Sequence, residues 1–174
     1  MQFKFLASLA AAAGIGFSGL AMTTAPAAAF NPAPLGYQLM CLKSPVLCQA
    51  GGPSAIHVDQ DILHTLMMVN RQVNRSIRPR ADQGGDVWSV NVSAGDCEDY
   101  AMTKRQRLIQ LGLPPSALRI AYVKIADGEG HAVLVVEAHG TTYVLDNLTS
   151  AIRPLGRTGY RVISMSGADP LRWS

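Results

Sequence analysis

Residues 130–147 read GHAVLVVEAHGTTYVLDN, two apolar runs on either side of His139-Gly140. Val133 to Val136 and Thr141 to Leu145 have the β-branched and apolar composition of strands, and a His-Gly pair between them is short enough to close a hairpin. With a two-residue turn, facing positions sum to 279, so Val133 opposes Asp146 and His131 opposes Leu148. Side chains alternate between faces along a strand, so His131 and Asp146 then point the same way, one diagonal apart, with about 7–8 Å between backbones. A three-residue loop would put them on opposite faces. The turn length therefore sets both the register and whether an imidazole can rest against a carboxylate.

Working outward, strands are predicted at Leu118–Ala126, His131–Glu137, Thr141–Asp146 and Tyr160–Met165. Upstream, Ile62, Leu66, Val69 and Val73 recur at helical spacing from His57 to about Arg75, with Asp59 or Asp61 near the start. Arg71, Arg75 and Arg78 line its last turns as a solvated basic face that complements the dipole. A second helix runs from about Cys97 to Leu111, turning Ala101, Met102, Leu108 and Ile109 inward, and Gly112 with Pro114-Pro115 ends it. Residues 79–95, with Pro79, Gly84, Gly85 and Gly95, read as a loop. Phe30 to Pro53 has little periodicity and reads as an irregular arm. Helices first and strands afterwards predict an α+β fold, with N-terminal helices packed on a C-terminal antiparallel sheet.

The first 29 residues stand apart. Lys4 is followed by an apolar, small-residue run from Phe5 to Ala21 and then by Ala27-Ala28-Ala29, the pattern of a secretory signal cut before Phe30. An uncleaved membrane anchor is the competing reading. Residues 30–174 form one domain's worth of sequence. The formal charge of +3 falls to +2 without Lys4, a surplus too small to imply a nucleic-acid partner. The expected location is periplasmic or secreted.

Export places the chain where disulfides persist, and it carries three cysteines, all after residue 30. The economical pairing is Cys41 with Cys48, close in sequence, leaving Cys97 free. A bridge from Cys97 to either of the others is the alternative, and it would abolish thiol chemistry.

Cys97 sits in Gly95-Asp96-Cys97-Glu98-Asp99-Tyr100, at the head of a predicted helix. Free backbone N–H groups and the positive end of the helix dipole stabilise a thiolate there and can donate to an oxyanion. His131 would take the thiol proton and later protonate the leaving group, with Asp146 fixing its tautomer. Asp96, Glu98 and Asp99 oppose this: Asp96 suits an N-cap and acids suit a first turn, yet three carboxylates beside a thiol raise its pKa. A bound cation would remove the conflict, and clustered carboxylate oxygens are what Ca²⁺ prefers.

The run Trp88 to Tyr100, W-x8-C-E-D-Y with Gly95-Asp96 before the thiol, followed by Gly130-His131-Ala132-Val133-Leu134 and Leu145-Asp146-Asn147-Leu148, resembles the bacterial transglutaminase-like cysteine proteinases. That group includes the periplasmic LapG-type proteases, which release adhesins from the cell surface. The Val69-Asn70 and Val73-Asn74 pairs and the Cys41/Cys48 arm look like the family too. The resemblance implies a papain-like, transglutaminase-like core with Cys97 as nucleophile, His131 as base and Asp146 as orienting acid. It implies Ca²⁺ at Asp96, Glu98 and Asp99, and makes Trp88 a candidate for an oxyanion N–H or a cleft wall, with a core Trp as the bland alternative. A protein substrate follows, with a cell-surface adhesin and an inner-membrane regulatory partner as the expectations for its biology. Two other classes stay open: a transglutaminase or amidase using the same thioester, and a non-catalytic calcium-binding module.

Overall fold

The computed structural model describes residues 31–174, so the signal sequence expected at 1–29 and its cut before Phe30 lie outside the described residues. In chain order the elements are α1 (Leu35–Lys43), α2 (Gln60–Ser76), β1 (Arg78–Pro79), β2 (Ala94–Gly95), α3 (Cys97–Gln110), β3 (Leu118–Lys124), β4 (Gly130–Ala138), β5 (Thr141–Leu145), β6 (Arg153–Pro154) and β7 (Arg161–Met165). Single 3₁₀ turns sit at Pro45–Cys48, Pro115–Ala117 and Leu155–Arg157.

The hairpin closes in the short register: Leu134 faces Leu145 and Ala138 faces Thr141, which leaves His139-Gly140 as the turn. Gly140 has φ +81°, a left-handed conformation that costs a residue without Cβ little. Antiparallel pairing then extends both ways into a five-stranded sheet, β6-β5-β4-β3-β7. The ladder between β3 and β7 shifts register at Tyr122/Val123, and β1 and β2 make a separate two-residue parallel pair.

Central β4 is buried on both faces, which is why its sequence is nearly unbroken apolar. One face carries Leu134 and Val136, which join Leu118, Ile120 and Leu145 against Leu66, Val69 and Val73 of α2 and Ala101, Met102 and Leu108 of α3. The other carries Val133 and Val135, packed with Ala121, Val123 and Val144 under Leu155, Tyr160 and Met165. Helix α2 starts at Asp59, whose Oδ1 accepts from the Ile62 N–H at 2.8 Å, while Asp61 sits in its first turn.

The arm departs from the sequence expectation. Instead of an irregular segment it holds α1 and a 3₁₀ turn, joined by a Cys41–Cys48 disulfide that leaves Cys97 free. Helix α1 has no side-chain N-cap and apolar residues all round, so no periodic stripe marks it. Tertiary contacts hold it: Tyr37 is wholly buried, edge-on to Trp88 at 5.3 Å and to Trp173 at 5.5 Å.

Arg105 of α3 pins the arm from beneath. It is 1% exposed and donates from Nε to the Leu118 carbonyl at 3.0 Å, from Nη2 to Pro115 O at 3.3 Å and from Nη1 to Leu47 O. Replacing it by an apolar residue strands buried carbonyls, each costing about 1–3 kcal/mol. Arg105→Met should therefore lose about 3 kcal/mol or more in urea unfolding, while Arg71→Met on the solvated face of α2 stays within about 0.5 kcal/mol. Equal midpoints for the two variants would remove Arg105 from this role.

Candidate active site

Cys97 is the first residue of α3, and its sulfur meets the start of β4, where the Ala132 N–H donates to Sγ at 3.3 Å. The strand thus delivers the residue next to His131 onto the thiol. His131 Nε2 and Asp146 Oδ1 lie 2.8 Å apart, both side chains buried. By strand alternation His131 shares the face of Val133 and Val135, and Asp146, one residue beyond β5, reaches it as the short turn requires. The geometry brings His131 of β4 onto Asp146 at the end of β5, and sets the backbone N–H next to His131 on the sulfur at the head of α3.

Asp146 is secured on every side. Its Oδ1 also accepts from the Leu148 N–H at 3.0 Å, and its Oδ2 accepts a short hydrogen bond from the Tyr160 hydroxyl. Its backbone carbonyl accepts from Asn74 Nδ2 at 2.8 Å, and Asn70 and Asn74 both donate to Thr149 O, tying α2 to the Asp146 turn. Burial alone would raise the Asp146 carboxyl, but bonds from His131, Tyr160 and Leu148 outweigh it and hold the pKa below the usual carboxylate range. Wholly buried Lys104, two turns beyond Cys97 on α3, has no hydrogen-bond partner for Nζ; burial pulls it down to about 7 against the opposing pull of Asp146.

The thiol itself is held in its neutral form. Its proton is donated to Glu98 Oε2 at 2.9 Å, and burial, that bond and the charges of Glu98 and Asp96 push the Cys97 pKa up to about 12. Glu98 is raised to about 8, by burial first and then by its contact with the Asp86 carboxyl. Burial first, and then the carboxylates foreseen as a burden, keep the thiol protonated in spite of its place at the head of a helix.

Those carboxylates are not grouped as the sequence suggested. One oxygen each from Asp82, Asp96 and Glu98 falls within 4.8 Å of the others. Asp99 is turned away and buried, its Oδ1 accepting from the Ser89 N–H at 2.8 Å. A Cβ on Gly95 would stand 2.0 Å from Asp99 Oδ2, so glycine is needed for Asp99 to fold back under the loop. Asp96 occupies the N-cap position of α3 without capping it; its Oδ2 accepts from the Asp82 N–H at 3.2 Å. Its Oδ1 is buried with no hydrogen-bond partner, an orphan that a hard cation would satisfy. The set Asp82, Asp96 and Glu98 therefore fits calcium, with Asp82 in the place expected of Asp99.

Trp88 walls a cavity of about 350 Å³ with Pro34, Asp86, Tyr122 and Ala132, open to Cys97 and Glu98. Its indole N–H donates to Asp86 Oδ1 at 2.8 Å, so that donor is already committed, and the buried ring belongs to the core while one side lines the cleft. Sequence reasoning missed Asp82, Asp86, Lys104 and Tyr160. The two acids lie in a stretch whose glycines signal only a loop, Lys104 looks like any helical lysine, and Tyr160 marks only a strand start.

With fold and geometry established, comparison identifies the class: residues 27–174 match the family described as bacterial transglutaminase-like cysteine proteinases, and the chain belongs to that family. Among solved structures, LapG from Legionella pneumophila is similar with TM-score 0.54 and 25% identity, covering 62% of this chain and 64% of LapG. Its calcium-bound form gives TM-score 0.56 and 27% identity over 62% of this chain and 66% of that one, and its EGTA-treated form 0.55 and 26% over 61% and 63%. The matched region thus spans a little under two thirds of the LapG chain first compared. No curated protein sequence matches the chain.

The raised carboxyls fix the sign of a stability test. Glu98 moves from 4.5 to about 8 and Asp99 from 3.8 to about 6, so the folded state is favoured below the unfolded values. That advantage is lost as pH climbs through the folded values. In chelator, the melting midpoint should fall between about pH 5 and about pH 8, and Glu98→Gln should flatten the upper part of the slope. Calcium at about 100 times its Kd should restore about 2.7 kcal/mol near pH 8 and less in acid. A midpoint that rises through this range in chelator contradicts the assignment.

Proposed function

We propose that the protein is a periplasmic or secreted cysteine peptidase that hydrolyses a protein substrate through Cys97, His131 and Asp146. The observation that carries this reading is the 2.8 Å contact of His131 with Asp146, one residue from the N–H that donates to the Cys97 sulfur. In this reading His131 is held through Nε2, which leaves Nδ1 to accept the thiol proton. The thiolate attacks the scissile carbonyl carbon, and a C–S bond forms as the carbonyl electrons move to oxygen. N–H groups at the start of α3 stabilise that oxyanion. The imidazolium then protonates the departing amine as the C–N bond breaks. Water, deprotonated by His131, attacks the thioester; the C–S bond breaks, the acid leaves and the thiol recovers its proton.

Asp82, Asp96 and Glu98 would hold Ca²⁺. Bound there, the ion supplies the positive charge that three converging carboxylates lack and lowers the cost of a thiolate beside them. The existence of calcium-bound and EGTA-treated forms of LapG supports this, as does the orphaned Asp96 oxygen.

The location rests on the signal-like residues 1–29 and on the Cys41–Cys48 disulfide, which suits an oxidising compartment. Within this reading the substrate is a cell-surface adhesin and activity is governed by an inner-membrane partner, both carried by the family resemblance. Among the described residues no helix is long and apolar enough to cross a membrane.

Digestion of a peptide library by the purified protein, read by mass spectrometry, tests the chemistry. Cleavage should be lost in Cys97→Ala and fall about a thousandfold or more in His131→Ala and Asp146→Asn. A fluorescent primary amine in the same digest separates hydrolysis from amine transfer. Cleavage that survives Cys97→Ala would overturn the peptidase reading; equal rates in calcium and chelator would remove the metal from it.

A further inference from the structure

Tyr160 lies one residue before β7, remote in sequence from the family motifs, yet makes two contacts at the site. Its hydroxyl donates to Asp146 Oδ2. Its ring stands edge-on to the His131 imidazole, centroids 6.3 Å apart and planes at 79°. The turn before it is built to place it: the Tyr160 N–H donates to Thr158 Oγ1 at 3.1 Å, that hydroxyl donates to Leu155 O at 2.7 Å, and Gly159 takes φ +77°.

The two oxygens of Asp146 are thus divided. Oδ1 serves His131 Nε2 at 2.8 Å and the Leu148 N–H at 3.0 Å; Oδ2 serves Tyr160 alone among the described residues. A carboxylate bound at one oxygen can swing about its own axis, taking the imidazole with it. Bound at both it cannot, and at 2% exposure it has little solvent to turn toward. The Tyr160 pKa is raised, by burial and then by its bond to Asp146, so the hydroxyl stays a donor throughout the working range.

We propose that Tyr160 is a positioning residue: it locks the second oxygen of Asp146 and confines the His131 ring, fixing the imidazole with Nε2 on the carboxylate and Nδ1 toward the thiol. This rests on the peptidase reading of the same site. Its contacts at the site are with Asp146 and His131, and through them it acts.

The test is a double-mutant cycle read by the rate at which iodoacetamide alkylates Cys97 in the full chain, with calcium present and peptide mass as the readout. Tyr160→Phe keeps the ring and removes only the donor. It should slow alkylation about tenfold, the scale of loss for a group that orients an active-site ligand. In an Asp146→Asn background the same change should cost less than about twofold, because residues that act as one unit are not additive. The ¹⁵N shifts of His131 should report one dominant tautomer in the wild type and a mixture in Tyr160→Phe. Tyr160→Leu, losing ring and hydroxyl, should be slower still.

An unchanged rate in Tyr160→Phe, or an equal loss in both backgrounds, overturns the proposal, the second marking a merely structural tyrosine. If Asp146→Asn and His131→Ala alkylate like wild type, the peptidase reading itself fails and Tyr160 has nothing to position. The two failures are distinct, because only the first leaves Asp146→Asn impaired.

Discussion

The site depends on the length of one turn. Because His139-Gly140 is closed by two residues, Leu134 faces Leu145, and the extension of that register puts His131 and Asp146 on one face, where they meet at 2.8 Å. A single extra residue would rotate every β5 side chain to the opposite face and bury Asp146 against the helices instead. The same register seats β4 centrally, which brings the Ala132 N–H to the head of α3 and so joins the helix carrying the thiol to the strand carrying the imidazole.

Electrostatics at the thiol run against that scaffold. The helix N-terminus favours a thiolate by a few tenths to about 2 kcal/mol, but burial, the bond to Glu98 and the nearby acids overcome it. The structure describes a neutral thiol, hydrogen-bonded through its proton to Glu98, beside a His131–Asp146 pair already in contact. The orienting half of the site is a carboxylate stabilised by hydrogen bonds, whereas the nucleophilic half is a buried thiol beside acids that oppose its ionisation.

Much of this was legible in the chain. Alternating and continuous apolar runs marked the strands, the helical spacing of Ile62, Leu66, Val69 and Val73 marked α2, and Gly112 with Pro114-Pro115 marked the end of α3. What escaped were elements whose cause is not local. Helix α1 has no stripe because apolar residues lie on its exposed side as well as its buried one, and it is held by Tyr37 packing against Trp88 and Trp173. Asp99 entered the expected ligand set through its closeness in sequence to Cys97 and through the family resemblance. On a helix consecutive residues diverge by about a third of a turn, and Asp99 swings back under Gly95 to hold the Ser89 N–H.

By itself the sequence marked four strands of the sheet, the order of thiol, imidazole and carboxylate, and the family, because periodicity and motif spacing are properties of short stretches of chain; the fold decided the two-residue register at His139-Gly140. The tertiary structure alone decided that Asp82 completes the acidic cluster, that Trp88 spends its N–H on Asp86, and that Tyr160 closes the second oxygen of Asp146. Trp88 and Asp86 are two residues apart in one loop, but the other two contacts join segments on different elements. Their meeting depends on how loops cross the ends of the sheet, a geometry no local pattern encodes.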